Sequence, residues 1–203
     1  MIIEFFGAPG AGKTSGARSL SAELGLPIVL KGGERRICDS IVYALLHPIR
    51  SLFFFFTILH QTARTGTWSL LRWRLAVIGS TYSVLHGASR FSGIAIVDEG
   101  LLQRVLSIYE EEIGPSRAAW LIRFLSPEYV LVVTSTEREF HRYTDPTHPR
   151  CRLGEAYMTR WKEIIRHNAA VILEALAKSA VPFALADDGR AVEAIKGLSL
   201  HTS

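Results

Sequence analysis

Residues 7–14 read Gly7-Ala8-Pro9-Gly10-Ala11-Gly12-Lys13-Thr14, and no other stretch restricts the fold as tightly. Its glycines let the backbone curl so that successive N–H groups point at one spot. The run in front, Ile2-Ile3-Glu4-Phe5-Phe6, has the β-branched and aromatic character of a short buried strand. The run behind, from Lys13 to Leu24, closes on Gly25, a good helix stop. A strand, a glycine turn and a helix in this order aim amides and a positive helix end at one set of phosphate oxygens. The spacing GxxxxGK[ST] places Lys13 to reach β- and γ-phosphates and the Thr14 hydroxyl to bind Mg²⁺. Gly7, Ala8, Pro9, Gly10, Ala11, Gly12, Lys13, Thr14 and Ser15 are therefore the candidate nucleotide-binding residues. The bland alternative is a glycine turn that carries a solvent-exposed lysine.

A site of this kind needs an acid at the tip of a second buried strand. Ile94-Ala95-Ile96-Val97-Asp98-Glu99 supplies one, with Asp98 placed to hold Mg²⁺ together with Thr14. Taken alone, Asp98 reads equally well as the cap of a helix over 101–112. Further strands are expected at 28–30, 130–133 and 183–186, and further helices at 118–124 and 155–179. Strands alternating with helices predict an α/β protein built on a five-stranded parallel sheet with helices on both faces.

The 203 residues then make one domain, with a mostly helical insertion at about 35–90. Its expected apolar positions are Ile41, Val42, Leu45, Leu46, Leu70, Leu71, Leu75 and Ile78. From 40 to 97 there is no Asp or Glu, whereas Arg50, Arg64, Arg72, Arg74 and Arg90 all fall there. Such a segment either faces an anionic partner or pairs with acids elsewhere in the fold. The run 52–59 reads as a core helix, a homodimer face or an interfacial anchor, the first two being preferred. As a helix it is about 12 Å long, against a hydrocarbon core of about 30 Å, so it does not span a bilayer. The start shows no signal-peptide pattern. Cys38 and Cys151 make neither a disulfide framework nor a zinc site. A soluble, cytoplasmic protein is expected, peripheral membrane contact remaining open. Nucleic acid is a weak candidate partner, since no nucleic-acid motif is present and the net charge is only +4.

At the glycine turn and at Asp98 the chain resembles the P-loop nucleoside and nucleotide kinases, such as thymidylate and adenylate kinases. The order of elements is similar over nearly the whole length. Gly7 to Lys13 looks like the adenylate kinase loop, with Thr14 in place of the usual glycine. Asp98-Glu99-Gly100 stands where an Asp-Arg-Tyr run is expected of thymidylate kinases, and the Asp-Gly-Phe-Pro-Arg run of adenylate kinases is absent. The resemblance thus implies the three-layer P-loop fold, ATP as donor and Mg²⁺, and leaves the acceptor open. It also implies an Arg-bearing lid at about 137–153, where Arg138 and Arg142 lie four apart.

Phosphoryl transfer requires charge neutralisation more than covalent chemistry. Lys13 and Mg²⁺ hold the donor, and Arg138 and Arg142 close over it from the lid. Glu99 takes a proton from the hydroxyl of an anionic or hydroxyl-bearing small molecule. The acceptor's anchors come from among Arg35, Arg36, Arg64, Arg72, Arg74, Arg90 and Arg104. A second reading keeps the loop and Mg²⁺ but has Glu99 polarise water, in an ATPase coupled to a protein or membrane partner. A third is a nucleotide-binding module without turnover.

Overall fold

A computed structural model describes residues 1–7, 11–29, 37–126, 129–134 and 148–186, with the backbone alone at 129–134 and 185–186. The order of elements is β1 (Ile2–Phe6), α1 (Lys13–Leu24), β2 (Ile28–Val29), α2 (Ile37–Leu46), α3 (Pro48–Thr65), α4 (Trp68–Ser89), β3 (Ala95–Val97), α5 (Leu101–Ile108), α6 (Pro115–Leu125), β4 (Tyr129–Thr134), a 3₁₀ turn (Cys151–Leu153), α7 (Glu155–Ala177) and β5 (Phe183–Ala186). The strands form one parallel sheet in the order β2-β3-β1-β4-β5.

Central β1 has β3 on one side and β4 on the other, in register Ile3 to Ile96 and Ile3 to Val130. The chain leaves β1 toward one edge and later returns to build the other. The crevice beyond the carboxyl end of β1 is therefore the topological switch point, where open α/β sheets place ligands.

Alternation along β1 divides the core. Ile3 and Phe5 point to one face and pack with Ala17, Leu20 and Ile96, so α1 covers that side. Phe6, Ala95 and Val97 point to the other face and join the larger core built with α4, α5, α6 and α7. The approach of α1 is close enough that a Cβ on Gly16 would stand 2.9 Å from the Phe5 ring.

Several boundaries differ from the sequence expectation. The helix expected over 101–112 stops at Ile108, where Tyr109 is extended. Side chains of other helices take over the backbone there: Glu110 donates its N–H to Gln61 Oε1 (2.9 Å) and Ile113 donates its N–H to Asn168 Oδ1 (2.8 Å). The helix expected over 118–124 begins earlier, with Pro115 in the first turn, where its missing N–H costs nothing. Helix α7 ends at Ala177 rather than at 179. Strand β3 begins at Ala95, and β4 extends to Tyr129 and Thr134.

The insertion is helical as expected, but its core is not the expected one. Leu70 and Ile78 are buried, whereas Ile41, Val42, Leu45, Leu46 and Leu75 face solvent. The burial comes instead from Tyr43, Phe54, Ile58, Val77 and Tyr82. Helix α4 lies against both α2 and α3 and passes on to β2 and β3. It spends its apolar positions on those contacts and leaves the outer faces of α2 and α3 uncovered. No single described helix is long and apolar enough to cross a membrane; α2 and α3 qualify only as a pair, bent by 110° at their junction.

Candidate active site

The site grows from the end of β1. Gly12 caps α1 in the left-handed conformation (φ 79°), which a residue with a Cβ would adopt only with strain. As a glycine it brings no side chain to the first amides of α1, and no acid stands in that first turn. The positive end of the helix is thus available to an external anion. Ala11 is buried, and Thr14 and Ser15 are exposed on the first turn. Ala8, Pro9 and Gly10 lie outside the described residues, so the middle of the glycine turn stands on sequence alone.

The two halves expected to share a metal meet. The Thr14 hydroxyl donates to Asp98 Oδ2 at 3.1 Å, across 84 positions of sequence. Asp98 follows β3 and is buried. Lys13 is buried too, and its Nζ donates to the Gly7 carbonyl at 3.0 Å. Loss of water around this ammonium pulls its pKa down to about 8, despite the opposing pull of Glu99 and Asp98. A polyphosphate placed beside Lys13 would favour the charged ammonium and oppose this shift.

Two residues outside the motif hold the turn. Glu4 sits in the middle of apolar β1 and is completely buried. Its Oε1 accepts the Gln103 N–H at 2.9 Å, while the Gln103 side-chain oxygen accepts the Gly7 N–H at 3.0 Å. The Glu4 carboxyl also lies so close to Gly100 that a Cβ there would stand 2.2 Å from Oε2. Burial raises the Glu4 pKa to about 7, against amides at the start of α5 and Arg104, which favour the ion. Glu4 was legible as an anomaly, a lone charge in an apolar strand. Nothing in the spacing pointed to Gln103.

Of the two alternatives for the arginines of 40–97, pairing with acids of the chain holds for Arg64, Arg74 and Arg90. Glu99 accepts a hydrogen bond from Arg104 Nη2 at 2.6 Å, and Arg104 also donates through Nε to Thr81 Oγ1. Arg90 pairs with Asp39 at 3.0 Å, and Arg64 with Glu111 at 3.2 Å. Arg74 is fully buried and paired with Glu110. These four candidate acceptor anchors are thus paired with acids of the chain itself. The acid-free stretch 40–97 draws its counter-charges from Asp39 just before it and from Glu110 and Glu111 after it.

Glu110 organises a second buried polar centre. Arg74 and Arg150 both donate to its Oε1, Arg150 at 2.9 Å, and the Tyr157 hydroxyl donates to its Oε2 at 2.5 Å. The Arg150 guanidinium lies 4.7 Å from the Trp73 ring centre and 4.3 Å from that of Trp161, within cation–π range of both. It also donates to the Ser107 carbonyl at 2.6 Å. The end of the segment expected to be a lid is therefore fastened to α4, α5 and α7. Arg35, Arg36, Arg138 and Arg142 lie outside the described residues. Among the described residues no group of three or more His, Cys, Asp or Glu side chains is arranged to hold a metal ion.

No protein-family model matches the chain, and no curated sequence matches it. Solved structures do. The chain is similar to deoxyadenosine kinase from M. mycoides with bound dATP (15% identity, 98% of this chain and 100% of that one, TM-score 0.51). It is also similar to shikimate kinase from Acinetobacter baumannii (17% identity, 99% and 92%, TM-score 0.44) and to the YorR protein from Bacillus subtilis (13% identity, 100% and 98%, TM-score 0.44). At these identities the first likeness shows the fold alone.

Proposed function

We propose that the chain is a phosphotransferase that moves the γ-phosphoryl group of ATP to a small anionic or hydroxyl-bearing acceptor. One observation carries this reading: Thr14 and Asp98 touch at the mouth of a left-handed glycine turn, beside a desolvated lysine. A hydroxyl and a carboxylate are hard oxygen donors of the kind Mg²⁺ prefers, and that ion takes its remaining ligands from water and phosphate. The donor set therefore fits the ion. When bound, it would supply positive charge to offset that of the phosphates.

The chain's own residues do the rest. The first amides of α1 receive phosphate oxygens, and Lys13 swings from the Gly7 carbonyl to the γ-phosphate. Buried charge acts there in a low dielectric, where it stabilises a transferring phosphoryl group more than it would in water. Glu99, held by Arg104, stands at the edge of the site as the proton acceptor for an incoming hydroxyl. Arg138 and Arg142 join this reading from sequence as the lid that excludes water. The precedent is chemical as well as topological: the protein of similar fold is a deoxyadenosine kinase, a kinase of a hydroxyl-bearing nucleoside. Acceptor anchors are then sought away from Arg64, Arg74, Arg90 and Arg104.

An ATPase coupled to a partner is the second reading, favoured by the apolar outer faces of α2 and α3. Turnover of γ-labelled ATP against a panel of nucleosides, nucleotides, sugars and hydroxy acids decides between them. A labelled acceptor, formed only with Lys13 intact, is the result expected. Equal phosphate release with every acceptor and with none would overturn the kinase in favour of the ATPase.

A further inference from the structure

The outer faces of the insertion repeat apolar residues at helical spacing. On α2 these include Ile41 and Leu45, and on α3 Ile49, Leu52 and Phe56; Leu45, Ile49 and Phe56 are 74%, 72% and 62% exposed. Trp68, at the start of α4, is 70% exposed. The faces are continuous, because a groove of about 440 Å³ between α3 and α4 is lined by Leu52 and Phe55 from one helix and Leu75 from the other. Monomeric proteins rarely leave contiguous apolar surface of this extent to water.

The charge around it is mainly positive, Glu111 being the acid that reaches its border, where Arg64, Arg117 and His60 share it. No acid occurs from 40 to 97, and Asp39 is turned away onto Arg90. Arg72 stands one turn from both Trp68 and Leu75 on α4, and His60 and Arg64 continue the outer face of α3 beyond Phe56. Arg64 remains 46% exposed even while it pairs with Glu111.

We propose that the outer faces of α2, α3 and the start of α4 dock on an anionic membrane leaflet. With a 110° bend between them, α2 and α3 have room to lie side by side along the surface. Helix α3, with 18 residues, then presents about 27 Å of apolar face to the acyl–headgroup boundary, with Trp68 and the arginines at headgroup level. A second copy fits less well. Two-fold contact would bring the same surface against itself, Arg72 and Arg64 included, with Glu111 already shared by Arg64 and Arg117. Anionic headgroups match both the apolar face and its cationic border. This docking does not depend on the phosphotransfer reading.

Flotation of the full chain with vesicles of phosphatidylcholine, alone or mixed with phosphatidylglycerol, tests it. Binding is expected to the mixed vesicles, weaker at high salt, with a blue shift in emission that Trp68→Phe reduces. The double variant Leu52→Glu/Phe56→Glu is expected to lose at least about tenfold in partitioning, the equivalent of one large apolar side chain. Phe56→Leu retains binding, and an unchanged circular dichroism melt shows that the charged variant folds. Any of three outcomes overturns the proposal: no binding to the mixed vesicles at low salt, equal binding to both vesicle types, or equal binding by the folded double variant. So does a lipid-free dimer that the double variant dissociates while vesicle binding is absent.

Discussion

The glycine-turn corner and the helical insertion treat water in opposite ways. At the corner, Glu4, Lys13, Asp98 and Arg104 are charged residues withdrawn from solvent. Across the insertion, leucine, isoleucine and phenylalanine are given to solvent. Each arrangement costs stability: buried charge loses hydration, and exposed apolar area forgoes burial of about 25 cal/mol per Å². Departures of this sort are expected where a ligand or a surface completes the structure. The proposed completions are an anion at the corner and a leaflet at the insertion.

The joint between the two regions gives the largest effect. Glu110→Ala leaves the buried guanidinium groups of Arg74 and Arg150 without their carboxylate, and about 3–5 kcal/mol of stability should be lost in urea unfolding. A loss under about 1 kcal/mol would show that the two regions are not held together through this centre.

At the corner itself, Lys13→Ala should lower phosphoryl transfer by a factor on the order of 10²–10³, or about 3–4 kcal/mol of transition-state stabilisation. The same variant should melt no lower than the parent, since it removes a desolvated ammonium. Unaltered turnover would break the assignment of the corner as the donor site.

The pH response sharpens the contrast further. The folded Glu4 pKa is raised from 4.5 to about 7, so the native state holds more protons than the unfolded chain between these values. Stability therefore falls as pH rises through that window, by about 3 kcal/mol in total. Lys13, lowered from 10.5 to about 8, works in the opposite direction: its share of stability rises from pH 8 to 10.5. Glu4→Gln should flatten the acid-side slope in denaturant midpoints measured at successive pH values. A slope that survives the substitution would place the titration elsewhere.

The smallest effect belongs to the insertion. Phe56→Glu exchanges one exposed side chain for another and should move stability by no more than about 0.5 kcal/mol. A loss comparable to that of Glu110→Ala would mean that Phe56 is packed in solution.

Much of the corner was legible before any coordinates. The left-handed turn at Gly12, the start of α1 at Lys13 and its stop at Gly25 follow from short-range rules. The Thr14–Asp98 contact followed once both motifs sat at the ends of buried strands. What the spacing left hidden were partners that meet only in three dimensions, Gln103 on Gly7 and Arg104 on Glu99. The arginines of the insertion misled for the same reason. Their counter-charges lie at Asp39, Glu110 and Glu111, and neither propensity nor spacing reports which acid a folded chain brings to an arginine.

The sequence by itself determined the parallel α/β framework and the entry into α1 at Gly12, because both rest on periodicity and on glycine's freedom over a few consecutive residues. Only the tertiary structure decided which apolar face of each insertion helix is buried. The helices of the insertion are apolar on more than one side, and α4 takes just one of those sides. It likewise decided which buried charges are paired, because an ion pair depends on the distance between side chains, which the order of residues along the chain does not fix.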